Sequence, residues 1–143
     1  YGIGDDQIEL ELTESVFFNE EQIALVKQAV HRMHQLGFRC SLDDFGSGFS
    51  SLGLLKSFDV DAIKLDRIFF EDIEQKKAQD ILHCLIELAH RLHMQVVAEG
   101  VETEEQLAFL RTTTCDMVQG YYYARPLSAA AYTAWLKQFH TVK

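Results

Sequence analysis

An α/β fold, built as a (β/α) barrel of mostly parallel strands, is what this sequence predicts, and three observations predict it. Segments with an apolar period of two alternate with segments of helical period about five times along the chain. No linker or low-complexity stretch breaks the alternation, so each helix serves as the crossover between neighbouring parallel strands. Polar residues of one parity gather toward the C-terminal ends of the strands, where a barrel builds its sites. An open doubly wound sheet fits the alternation equally well but would bring fewer strands to one crevice.

The elements follow in order. Ile8 to Thr13 alternates apolar and polar residues, a strand with one apolar face. Asn19 with Gln22 forms a candidate capping box, and the helix behind it carries Ile23, Val26, Val30 and Met33 on one side until Gly37 stops it. Arg39 to Asp43 is a second strand, followed by a Gly- and Ser-rich loop through Ser51 and a short helix over Leu52 to Lys56. Ala62 to Leu65 is the third strand. A short helix near Phe69–Ile73 precedes a long one from about Lys77 to Leu92, with Ile81, Leu85, Leu88 and Leu92 as its apolar stripe. Gln95 to Ala98 is the fourth strand. Thr103 and Gln106 make a second capping box for a helix ending near Leu110. Met117 to Gln119 is the fifth strand, and Ser128 caps a last helix in which Tyr132, Trp135, Leu136 and Phe139 pack.

Composition narrows the function. The 143 residues suffice for one domain, 48% of them apolar and 24% charged. The net charge of −9, from 22 acidic and 13 basic residues, argues against duplex nucleic acid, which requires a basic surface. It leaves room for a small phosphorylated ligand where bound cations invert the local potential. The apolar stretches are interrupted by charged residues or histidine, so no membrane span is expected within the segment; the expected location is the cytoplasm, with a membrane anchor elsewhere in the full protein left open. Cys40, Cys84 and Cys115 are odd in number and widely spaced, which predicts buried free thiols rather than a disulfide or zinc framework.

The site emerges from parity. Glu11, Asp43, Lys64, Glu99 and Gln119 each share the less apolar parity of their strands, and all are expected at one mouth of the barrel. A lone carboxylate at a strand end is usually a solvated flank or a helix cap, and a lone lysine a surface residue. Five strands agreeing is what favours a site. Three carboxylates with Asp44 beside them are costly unless cations compensate them, and hard oxygen donors without His or Cys favour Mg²⁺ or Mn²⁺. Two chemistries fit this set: metal-assisted phosphoryl transfer, and proton abstraction beside a carboxylate as in enolase-like enzymes. The six histidines fall in helical stretches, where surface or packing roles are expected. Tyr121, Tyr122 and Tyr123 follow Gln119 at the mouth, where boundary packing is as good a reading as stacking on a base.

Five blocks then carry a resemblance: Glu11-Leu12-Thr13-Glu14-Ser15, Asp43-Asp44-Phe45-Gly46-Ser47-Gly48-Phe49-Ser50-Ser51-Leu52, Ile63-Lys64-Leu65-Asp66, Ala98-Glu99-Gly100-Val101-Glu102-Thr103 and Gln119-Gly120-Tyr121. In order and spacing they resemble the EAL domain family, phosphodiesterases that hydrolyse cyclic di-GMP to linear pGpG with Mg²⁺ or Mn²⁺. The resemblance implies that Glu11, Asp43 and Asp44 are metal ligands of a two-ion site. It implies that Lys64 holds or activates the catalytic water, that Glu99 is a catalytic carboxylate close to the metals and that Gln119 stands near the water and metal network. Glu14 matches a glutamate that holds the Asp-Asp-Phe-Gly loop, with Glu102 supporting the same network and Gly46 and Gly48 giving the loop its freedom.

The family's Glu-Ala-Leu block does not occur in this sequence. The resemblance therefore makes residues 1–143 the C-terminal portion of the domain, the C-terminal part of a TIM-like barrel, with that block and a metal-binding Asn upstream. The segment alone is expected to be inactive. Family likeness further implies a homodimer near the Asp-Asp-Phe-Gly loop and fused sensory or GGDEF domains outside the segment. A cyclic di-GMP receptor without turnover is the alternative function, and the residues preceding Tyr1 would separate the two.

Overall fold

The computed structural model describes residues 2, 4, 7–13, 20–47 and 51–139. Asn19, Glu14, Gly48 and His140 therefore lie outside the described residues, and with them the first capping box and two of the expected site residues. The elements in chain order are β1 (Glu9–Thr13), α1 (Glu20–Gln35), β2 (Arg39–Phe45), α2 (Ser51–Ser57), β3 (Ala62–Leu65), a 3-10 turn (Arg67–Phe70), α3 (Lys76–Arg91), β4 (Gln95–Ala98), α4 (Glu104–Leu110), β5 (Met117–Val118) and α5 (Ala129–Phe139).

The five strands form one sheet in the order β1-β2-β3-β4-β5, every neighbour pair parallel. Sequential order means that no strand reverses the winding, so the crevice of a doubly wound sheet has no place here and the sheet is an arc of a barrel. Alternate residues divide the two faces. Leu10, Leu12, Cys40, Leu42, Ile63, Leu65, Val96 and Ala98 point outward into a core shared with Val30 of α1, Leu54 and Leu55 of α2, Leu82, Ile86 and Ala89 of α3, and Leu107 and Leu110 of α4. Glu11, Asp43 and Lys64 take the opposite face, because the strand period is two.

Local chemistry sets the element boundaries. Thr103 Oγ1 accepts the Gln106 N–H while the Gln106 side chain accepts the Thr103 N–H, the reciprocal box that starts α4. Ser128 Oγ accepts the Ala131 N–H at 3.3 Å at the head of α5. Gly37 has φ 90° and ends α1. None of the helices among the described residues is long and apolar enough to cross a membrane.

Several expectations need correction. The short helix near Phe69–Ile73 is a 3-10 turn starting at Arg67, because Asp66 Oδ1 accepts the Ile68 N–H at 2.9 Å and initiates the turn early. The stripe of α3 is rotated by one residue: Leu82, Ile86 and Ala89 meet the sheet, whereas Ile81 and Leu92 are exposed. The apolar arc of this helix is wide enough to hold two stripes: Leu85 and Leu88 pack at the edge of the core, while Ile81 and Leu92 at the ends of their stripe stay exposed. Tyr132 is exposed rather than packed inward and stacks on Trp135. His93 follows α3 with φ 64° instead of lying in it. The cysteines are free, but only Cys40 is buried; Cys84 is exposed on α3 and Cys115 is half-buried.

Candidate active site

The second and third strands bring the first two charges together. β2 pairs Ser41 with Ala62 and Leu42 with Ile63, and its register slips before Phe45. Asp43 and Lys64 thereby extend over the inner face at the same end of the sheet. Lys64 Nζ donates to Asp43 Oδ1 at 2.8 Å and to Glu11 Oε1 at 2.6 Å, and lies 3.0 Å from Glu99 Oε1. Four strands thus converge on one ammonium. Glu11 stands one rung below the mouth, opposite Ser41, so its carboxylate reaches up rather than ending its strand.

Asp44 joins this group through its backbone. Its φ is 52°, a left-handed conformation that few non-glycine residues adopt and that concentrates at functional sites. The turn is fastened by Ser47, whose N–H and hydroxyl both donate to the Asp44 carbonyl, at 3.1 and 2.9 Å. Carboxylate oxygens of Asp43, Asp44 and Glu99 lie within 4.8 Å of one another. Gly46 continues the turn at φ 102°, and a Cβ there would sit 2.1 Å from the Phe69 ring. The residue must be glycine on both counts.

Electrostatics follow from this crowding. Burial works against the Lys64 ammonium, but hydrogen bonds to Asp43, Glu11 and Glu99 prevail and raise its pKa above the ordinary lysine value. Glu99 is raised by burial, with Asp43 and Glu11 adding to the effect against the opposing pull of Lys64. Asp44 is raised by local burial and by Asp43 and Asp66. Acids held above their usual range beside one cation form a cluster that further positive charge would relieve. The donors are all hard oxygens at mutual distances that one divalent ion spans, so this residue set fits a Mg²⁺- or Mn²⁺-type centre.

Beside the cluster lies a cavity of about 580 Å³, lined by Glu99, Glu102, Gln119, Arg67, Tyr121 and Arg125 among others. Gln119 follows β5 directly, and its N–H donates to the Ala98 carbonyl at 2.8 Å, which places it next to Glu99. Gly120 behind it packs so tightly that a Cβ would meet the Val101 carbonyl oxygen at 2.1 Å. Glu102 anchors its N–H on Gln106 Oε1 and borders the cavity instead of touching the carboxylate cluster. Sequence reasoning missed Arg67 and Arg125. Arg125 lies over the Tyr121 ring at 4.5 Å from its centroid, and the only hint was the Arg-Pro pair after the tyrosine run.

Comparison with known proteins agrees with this geometry. Residues 1–126 match the model of the EAL domain. The chain is 43% identical over 134 residues to the cyclic di-GMP phosphodiesterase NbdA of Pseudomonas aeruginosa, covering 92% of this chain and 17% of NbdA. Among solved structures it superposes on the EAL domain of Mycobacterium smegmatis DcpA with a TM-score of 0.87 and 34% identity, over 96% of this chain and 61% of that one. It superposes on Klebsiella pneumoniae BlrP1, solved as a manganese and cyclic di-GMP complex, with a TM-score of 0.77 and 35% identity, over 87% of this chain and 32% of that one. The chain therefore spans only a small part of its curated relative's length. With a parallel barrel arc, a carboxylate–lysine cluster at its mouth and a family match over most of its residues, the chain belongs to the EAL domain family.

Proposed function

We propose that this chain is the C-terminal portion of a phosphodiesterase domain that hydrolyses cyclic di-GMP to linear pGpG, with two Mg²⁺ or Mn²⁺ ions in the intact site. The observation that carries the reading is the convergence of Glu11, Asp43 and Glu99 on Lys64, with Asp44 alongside. NbdA is a cyclic di-GMP phosphodiesterase and BlrP1 binds the nucleotide together with manganese, which supports the same substrate here.

Bound divalent ions would supply Lewis acidity toward the phosphoryl oxygens and the attacking water. Glu11, Asp43 and Asp44 are the proposed ligands. The chain's own contribution is charge and orientation. Lys64 is fixed by three carboxylates and keeps its proton, so it acts as an oriented hydrogen-bond donor toward water and developing negative charge rather than as a base. Glu99, the most sheltered of the three, would accept a proton from the attacking water as the new P–O bond forms and one P–O ester bond breaks, and that proton would then pass to the departing oxygen. Gln119 offers a neutral amide beside Glu99 to hold the water in line. Gly46 and Gly48 let the loop that carries Asp44 adjust around the phosphate, with Glu14 as its brace and Glu102 as support from the cavity side.

The second stripe of α3 supports a homodimer. Ile81, Cys84, Leu85 and Leu88 border a groove with Leu52 and Phe69, next to Gly46 of the loop, and Lys76, Lys77 and Asp80 lie at its rim. A rim with both signs can pair with its own copy. The enzyme reading is tested on the whole purified protein with Mg²⁺ or Mn²⁺. Chromatography should show pGpG from cyclic di-GMP, lost in Asp43→Asn. No product with either metal would refute it.

A further inference from the structure

At the end of the sheet opposite the carboxylates, the chain repeats itself. His34 of α1 donates from Nε2 to Asp61 Oδ2 at 3.0 Å, and the same oxygen accepts the Cys40 N–H of β2 at 2.8 Å. His90 of α3 donates from Nε2 to Asp116 Oδ2 at 2.8 Å, and that oxygen accepts the Val96 N–H of β4 at 2.8 Å. Because a carboxylate only accepts, the proton in each histidine contact lies on Nε2. The backbones follow suit: the Asp61 N–H donates to Cys40 O and the Asp116 N–H to Val96 O.

The correspondence continues along both stretches, with the helix and first strand at one offset and the second strand at an offset one residue shorter. Leu36 answers to Leu92. Gly37 at φ 90° answers to His93 at 64°, and Asp44 at 52° to Gly100 at 68°. Asp43 matches Glu99, and Lys64 matches Gln119. Two copies of one helix–strand–helix–strand unit are thus built alike, each with a clamp at one end and two site residues at the other.

We infer that the two His–Asp clamps are positioning devices for the site. His34 with Asp61 fixes β2 against β3 and so sets Asp43 against Lys64; His90 with Asp116 fixes β4 against β5 and so sets Glu99 against Gln119. Each aspartate precedes its strand and ties a helix end and a neighbouring strand start to one oxygen. In parallel strands this short, that bond pins the register that the buried apolar face also favours. Asp61 also reaches the second unit, since its carbonyl accepts the Gln95 N–H at 2.9 Å.

The test uses the whole protein without metal or nucleotide, so its outcome is independent of whether the domain cleaves cyclic di-GMP. Amide exchange is followed at Cys40 and Val96, and the side-chain ammonium resonance of Lys64 is followed by ¹⁵N-lysine labelling. Asp61→Ala should speed exchange at Cys40 about 10-fold, the loss of a hydrogen bond to a charged group, while Val96 is unchanged and the Lys64 resonance moves. Asp116→Ala should do the reverse at the two amides. Asp61→Asn keeps an oxygen for Cys40 and should return the Lys64 resonance toward its original position; this milder variant, with His34→Gln, carries the test if alanine prevents folding. A clamp that only stabilises the fold would leave the Lys64 resonance of the folded protein in place, and that result overturns the inference. Equal loss of protection at both amides overturns it as well.

Discussion

Lys64 Nζ stands 2.8 Å from Asp43 Oδ1, two adjacent strands joined by one ion pair at the mouth of the barrel arc. The lysine side chain is 10% exposed, and two further carboxylates lean on it. In the absence of divalent ions this ammonium is the charge that keeps the acids together. A metal arriving at Asp43 and Asp44, beside Glu99, would share that task.

Lys64→Met should therefore lower stability without metal by about 1–3 kcal/mol, the cost of leaving the half-buried Asp43 and Glu99 carboxylates without their counter-charge. Mn²⁺ should restore much of the loss and bind more tightly than in the native protein, because the competing cation is gone. Thermal melts with and without Mn²⁺ check both. A variant as stable as the native protein in chelator would show that Lys64 does not hold the cluster.

Most of this site was legible before any coordinates. Parity alone put Glu11, Asp43, Lys64 and Glu99 on one face, because the strand period is fixed and the outward residues Cys40, Leu42, Ile63, Leu65, Val96 and Ala98 are unbroken apolar sets. What parity cannot carry is the phase of a wide apolar helix. In α3 both Ile81 and Leu82 begin acceptable stripes, and only packing chooses Leu82. The clamps were invisible for a related reason: His34 and Asp61 are far apart in sequence, and each alone is an ordinary helix or turn residue. Arg67 and Arg125 enter through loops, where periodicity says nothing.

Glu99→Gln and Asp43→Asn should each weaken Mn²⁺ binding by about 10-fold to 100-fold in the whole protein, by removal of a charged donor or of charge beside one. Electron paramagnetic resonance of free Mn²⁺ in a titration reads this directly. Glu102→Gln, at the cavity wall and outside the carboxylate cluster, should leave that affinity within about twofold. Equal losses in all three would mean that net charge, not coordination, governs binding.

Acid should open the second clamp through Asp116. Burial alone would raise its pKa, but the His90 hydrogen bond and the Val96 N–H outweigh it and hold it below the ordinary aspartate value. A depressed folded pKa contributes stability that is present above the unfolded value near pH 4 and lost as pH falls through the folded one. Asp116→Asn should therefore flatten the native protein's loss of stability below about pH 4. Denaturant melts of the two proteins across that range provide the check, and parallel acid profiles would contradict the assignment.

Ile81 is 49% exposed on the groove face of α3, so Ile81→Glu should disturb association without touching the core. If two copies meet on this groove, sedimentation should show the native protein as a dimer and the variant shifted toward monomer at equal concentration, with unchanged melting of the protomer. A native protein of monomer mass at every concentration would count against the dimer.

The 143-residue chain by itself should make little or no pGpG, although it carries Glu11, Asp43, Asp44, Lys64, Glu99 and Gln119. A two-ion site depends on the number and geometry of its donors, and the Glu-Ala-Leu block that supplies another carboxylate in this family is not among these residues. The inner face of the arc adds a second reason. Met117 is 44% exposed on its strand, and the Glu11 side chain 48%, so water reaches the row that a closed barrel would shelter. Water there screens the charges on which the proposed chemistry relies and lets the ligands move. Supplying the upstream part of the domain as a separate chain should restore turnover if the two halves assemble, and Asp43→Asn in this half should abolish it again. The decisive measurement is pGpG formed by the chain alone in Mn²⁺. A rate close to that of a complete EAL domain, absent in Asp43→Asn, would show that these five strands hold a self-sufficient site.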